Sequence, residues 1–167
     1  MIWLDLLVVT IILGAAVAQS RRQFGSTLLD LMAVLGAVGL ARLVGPRLAR
    51  AAAILPAGDN NQALATAVMF VICAVSLLVL AELFQNQVLL TLESFDSVVG
   101  AVLGFASGVA VAHLVLVVIL TANPATDATS WGTVARKRPA VRQLIYFEGY
   151  HQAMTWLRYA GEPERRS

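Results

Sequence analysis

The chain has 167 residues, of which 59% are hydrophobic and only 13% charged, with a net charge of +2 and a mean hydropathy of +0.77. Soluble domains carry about a quarter charged residues, so this composition excludes an ordinary water-soluble fold and points to a bilayer. The charge is unevenly placed: residues 1–122 hold five basic and six acidic groups, and the remainder holds seven basic and four acidic.

Four apolar runs, at about 3–19, 26–44, 63–84 and 98–122, have the roughly 17 to 25 residues needed to cross a hydrocarbon core about 30 Å thick. The expected fold is an all-α membrane protein of about four transmembrane helices followed by a C-terminal amphipathic helix. Residues 1–122 form the transmembrane domain, 123–135 a linker and 136–167 a basic amphipathic tail.

The first run ends in Ala16-Val17-Ala18, which has the small residues of a signal-peptide cleavage site. It begins, however, with Met-Ile-Trp-Leu-Asp, an acid where a signal peptide is basic, and further spans follow, so it is expected to remain as helix one. Folded as an antiparallel hairpin turning near Arg22, spans one and two would bring Asp5 opposite Leu40 to Arg42, and an interhelical ion pair between Asp5 and Arg42 is expected. Asp30, early in span two, has Thr27, Arg21 and Arg22 as candidate partners. Arg42 also lies close enough to its span end to reach the interface, as does Glu82 in span three.

After span two, Pro46, Pro56, Gly58 and an Asp-Asn-Asn cluster predict a short interfacial helix, a turn and a new helix start. Cys73, the single cysteine, lies inside the third run and reads as a small hydrophobe. Between spans three and four, Val88, Leu92 and Phe95 share a helical face, as in a segment lying on the membrane surface.

Span four contains the most informative pattern. Gly100, Gly104 and Gly108 stand at steps of four, each step advancing about 400° around an α-helix. With Ala112 they make a ridge of small residues that a neighbouring backbone can approach closely. His113 lies about midway along the span, turned away from the glycines, and a neutral histidine making one interhelical hydrogen bond is expected there.

The apolar run ends at Asn123-Pro124, and Thr126 to Thr133 reads as a linker. From Pro139, a natural first-turn residue, Val141, Leu144, Phe147, Tyr150, Met154 and Leu157 recur at three- or four-residue intervals. This predicted amphipathic helix, interrupted at Gly149, is suited either to an anionic lipid surface or to packing on the protein's own helices.

Basic residues set the orientation. Arg42, Arg47, Arg50, Arg136, Lys137, Arg138 and Arg142 fall on the side of both termini, against Arg21 and Arg22 on the other, which places the termini in the cytoplasm. No Gly-x-Ser-x-Gly elbow, phosphate loop, dinucleotide fingerprint or metal-ligand spacing is present, and His151 is remote from His113. No enzymatic activity, catalytic residue, cofactor, metal or nucleic-acid partner is expected.

Asp96 followed by Gly100, Gly104 and Gly108 resembles the Asp-x-x-x-Gly-x-x-x-Gly-x-x-x-Gly signature of the colicin V production protein family, usually called CvpA. The opening Ile-Trp-Leu-Asp and the arginine-containing turn before span two are similar to that family as well, and the likeness covers about residues 1–122. Family members often carry arginine where this chain has Ser97 and Ser107, and an Arg-Gly-x-x-Arg-Glu turn where it has Arg22-Gln23-Phe24-Gly25-Ser26-Thr27.

The resemblance implies a multi-pass bacterial inner-membrane protein linked to production or export of a peptide toxin and to envelope upkeep. Some relatives carry a trypsin-like domain, but no Gly-Asp-Ser-Gly type segment occurs here. The reading is a non-enzymatic scaffold or accessory in the lipid bilayer, assembling with itself or other membrane proteins through the Gly100–Ala112 ridge. The alternative is a small channel or transporter subunit with Asp30 and His113 along a polar path.

Overall fold

The computed structural model describes residues 2–51, 58–85, 96–124 and 126–146. Four long helices, α1 (Ile2–Gln19), α2 (Phe24–Ala51), α3 (Gly58–Gln85) and α4 (Asp96–Ala122), are followed by two short ones, α5 (Trp131–Arg136) and α6 (Pro139–Tyr146). Each long helix contains an apolar stretch sufficient to cross a bilayer, and the chain is an all-α membrane protein. The surface-lying face expected at Val88, Leu92 and Phe95 lies outside the described residues, as do the tail beyond Tyr146 and its Phe147, Tyr150, Met154 and Leu157.

Lipid is as apolar as leucine, so close backbone approach and polar contacts, rather than burial of apolar surface from water, decide which helices pair. Here α4 is the central element, touching α1, α2, α3, α5 and α6, while α2 packs most extensively on α3. Helix α1 runs antiparallel to α4: a Cβ at Gly100 would meet the Gln19 carbonyl at 2.5 Å, one at Gly104 the Ala15 carbonyl at 2.6 Å, and one at Gly108 the Ile12 Cα at 2.7 Å. All three glycines and Ala112 are buried.

This overturns the expected α1–α2 hairpin. The two helices are joined by a short turn but share no substantial interface, because the backbone of α1 is seated on the glycine ridge of α4. Asp5 therefore does not face Arg42.

A second small-residue stripe, Ala33, Ala37, Ala41 and Gly45, lies buried along α2. It admits α3 in antiparallel register, with a Cβ at Gly45 lying 2.9 Å from the Thr66 Cα. The Asn61 amide in turn donates to the Ala49 carbonyl (2.6 Å) near the end of α2, where carbonyls lack helical partners. Helix α2 also continues through Pro46 to Ala51, so residues 47–51 of the segment expected to form a separate interfacial helix are the last part of α2, and 52–57 lie outside the described residues. Proline has no N–H, which leaves the Arg42 carbonyl without its usual i+4 donor.

The stretch expected as a linker contains α5, and both short helices join the bundle. Leu4, Val8, Ala112, Leu116, Leu120, Ala135 and Val141 form one buried cluster, with Trp131, Leu144 and Ile145 packed against it. Three features hold α5 there. Ser130 caps it through the Thr133 N–H (3.2 Å), Arg136 donates to the Leu120 carbonyl at the end of α4 (3.2 Å), and Gly132 has no space for a side chain against the Asn123 and Pro124 carbonyls. Val141 and Leu144 face the bundle as the periodicity of α6 predicts, with Arg142 and Gln143 outside.

Candidate functional site

Among the described residues, three polar junctions between elements absorb every ionisable side chain singled out within the spans except Glu82, which is exposed. The first lies within the span of α4. His113 Nδ1 lies 2.7 Å from the Leu144 carbonyl, and its Nε2 lies 3.0 Å from Arg42 Nη1. A carbonyl only accepts and a guanidinium only donates, so the ring carries its proton on Nδ1 and offers a lone pair at Nε2. One buried imidazole thus holds α4 to α2 on one side and to α6 on the other, where a single interhelical bond was expected.

The second junction closes the end that carries the chain's N-terminus. Asp5 pairs with Arg138, between α5 and α6, instead of with Arg42. Just beside it the rings of Trp3 and Trp131 stack with centroids 5.8 Å apart at an interplanar angle of 27°. The physical reason for the change of partner is the α1–α4 pairing, which carries Asp5 to the place where the chain turns back after α4.

The third junction lies at the opposite end. Buried Asp30 receives Arg22 Nη1 at 2.7 Å and Gln19 Nε2 at 3.2 Å, and the arginine half of this arrangement is one of the contacts the sequence predicts. Close by, Asp96 Oδ1 accepts the backbone N–H of Phe24 (3.4 Å) at the start of α2. The carboxylate heading the glycine ridge therefore ties α4 to the α1–α2 turn, at a helix start where backbone donors lack partners and a negative charge is favoured.

The match to a family model decides the identity: residues 4–145 fit that of the colicin V production protein. The chain belongs to the colicin V production protein family. No curated protein and no solved structure matches it. The family region extends beyond residue 122 to include α5 and nearly all of α6, in keeping with their place in the packed core.

For this family member the Asp96–Gly108 signature has a defined architectural use, which is to seat α1 and the turn that follows it. The ridge is covered by the chain's own first helix and is not an open surface for a second molecule. Ser107, at a position where relatives often have arginine, is buried and donates to the Leu103 carbonyl (3.1 Å); Ser97 is exposed.

Sequence reasoning passed over the Ala33–Gly45 stripe, although its steps of four are the same signal as the glycine ridge. It also gave no partner to Arg138 or to Gln19, whose contacts are distant in sequence. Between α2, α3 and α4 lies a cavity of about 180 Å³ lined by Arg42, Pro46, Gln62, Thr66, Val117 and Thr121, among others.

Proposed function

We propose that this protein is a non-enzymatic scaffold or accessory of the bacterial inner membrane that serves the production or export of colicin V-type peptide toxins and envelope upkeep. The family match over residues 4–145 carries this reading. Its non-enzymatic side is supported by the use made of the intramembrane polar groups. Asp5, Asp30 and His113 are each engaged by a side chain or carbonyl from elsewhere in the chain, a pattern that fastens helices together.

Assembly with a second copy or with other membrane proteins uses the outer surfaces of the bundle, since α1 covers the glycine ridge. The exposed Val68, Val71, Ile72, Val75 and Val79 of α3 provide such a surface. Both termini lie in the cytoplasm, because the basic residues concentrate at the end where α2 finishes and α5 begins.

Restoration of growth-inhibition zones in a colicin V-producing strain lacking its own family member tests the role, together with crosslinking and purification of partners from native membranes. Failure to restore toxin release at normal expression overturns it. A proton or ion flux in liposomes that is abolished by His113→Ala would instead establish the channel or transporter alternative.

A further inference from the structure

Arg42 is a permanent cation whose only hydrogen-bond partner among the described residues is the neutral His113. The ion pairs Arg22–Asp30 and Arg138–Asp5 employ other arginines. Arg42 is exposed on the flank of the bundle, and a guanidinium facing lipid within a span favours a counter-anion, because an unpaired charge there is costly. Helix α2 has 28 residues and is about 42 Å long. If it is centred in a hydrocarbon core about 30 Å thick, Arg42 sits about 7 Å from the midplane and so about 8 Å inside the core boundary. It lines the cavity between α2, α3 and α4, which has room for roughly six water molecules at about 30 Å³ each.

We propose that this cavity binds the headgroup of an anionic phospholipid, with its phosphate on Arg42 and its glycerol hydroxyls on the threonine oxygens. The cavity wall offers the matching chemistry. Thr66 and Thr121 each donate their hydroxyl proton to a backbone carbonyl four residues earlier, both at 2.8 Å, which leaves acceptor lone pairs for a donor on the ligand. Phosphatidylglycerol supplies an anion and hydroxyl donors together, whereas the ammonium of phosphatidylethanolamine would lie beside a guanidinium.

The site is also preorganised. The chain Leu144 carbonyl, His113, Arg42 fixes one end of the guanidinium before any ligand arrives, so less side-chain freedom is lost on binding. Arg50 folds back on its own helix, its Nε 3.3 Å from the carbonyl of Pro46, itself a cavity residue, and so adds a second cation near the rim. Ala63, Val117 and Val118 complete an apolar wall. Depth favours a lipid over a dissolved anion, since the lipid phosphate already resides at the membrane boundary.

The test uses the full chain in phosphatidylcholine vesicles, alone or mixed with phosphatidylglycerol or phosphatidylethanolamine, and with inorganic phosphate as a separate addition. Dicarbonyl modification of Arg42, read by peptide mass spectrometry against Arg47, which is likewise exposed but does not line the cavity, is expected to slow about tenfold with phosphatidylglycerol only. Native mass spectrometry of the detergent-solubilised protein is expected to show phosphatidylglycerol retained in preference to phosphatidylethanolamine, lost in Arg42→Gln and partly kept in Arg42→Lys. Equal protection by both lipids, or none, overturns the proposal. Protection by inorganic phosphate to the same degree overturns the lipid assignment in favour of a free-anion site. Because the modification experiment uses the unaltered protein, it decides the matter even where Arg42→Gln fails to fold.

Discussion

His113 is the residue at which the most structure converges, since its two ring nitrogens meet groups with fixed and opposite hydrogen-bond roles. Replacement by Ala leaves the Leu144 carbonyl without its imidazole donor and Arg42 without its imidazole acceptor. Interhelical hydrogen bonds in membranes contribute about 0.6 kcal/mol on average and up to about 1.7, so His113→Ala should cost about 1–2 kcal/mol. The loss should appear as faster backbone hydrogen exchange over 139–146, with α1–α4 packing unchanged.

Asp5 and Arg138 are the other residue-scale contact that local sequence does not reveal, being 133 positions apart. A double-mutant cycle of Asp5→Asn and Arg138→Gln is expected to yield a coupling of about 0.5–1 kcal/mol in detergent unfolding. The cycle of Asp5→Asn with Arg42→Gln should be additive, and coupling there would restore the hairpin arrangement that the α1–α4 packing replaces.

At the scale of elements, the helices divide according to where small residues recur. Gly104 lies against the Ala15 carbonyl and the Ala16 Cα, at 2.6 and 2.9 Å from where a Cβ would stand, whereas nothing approaches Gly14 of α1 within 4 Å. Gly104→Leu must therefore separate α1 from α4, costing about 2 kcal/mol or more as overpacking does, while Gly14→Leu should remain within about 0.5 kcal/mol. Midpoints of unfolding in denaturing detergent measure both. A Gly104→Leu chain that unfolds at the same detergent level as the parent would mean that α1 does not rest on the ridge.

These two stripes were unequally legible. The glycines of α4 announce themselves because glycine is otherwise disfavoured in a helix interior, but the alanines of α2 pass as ordinary apolar residues. Helix α6 was readable from its apolar period, and α5 was not. It has six residues, too few to show a period, and its Trp131, Gly132 and Ala135 acquire meaning only against the end of α4.

At the scale of the whole molecule, charge and packing fix different things. The concentration of arginine and lysine at the end bearing α5 and α6 predicts that a cysteine introduced at Thr129 is shielded from a membrane-impermeant maleimide in intact spheroplasts. A cysteine at Gln23, which is exposed in the opposite turn, should react. The reverse pattern would invert the orientation. Hydropathy, span length, the glycine ridge and the family signature were all properties of the sequence itself, because each depends on residues within one helix-length of chain and on their transfer into lipid. The choice of partners belonged to the tertiary structure: α1 on α4 instead of α2, Asp5 with Arg138, Arg42 with His113. Lipid exerts no hydrophobic pull that would favour neighbouring spans, so pairing follows from which backbones can come closest and which polar groups then meet, and these are relations between distant segments that no single stretch of sequence contains.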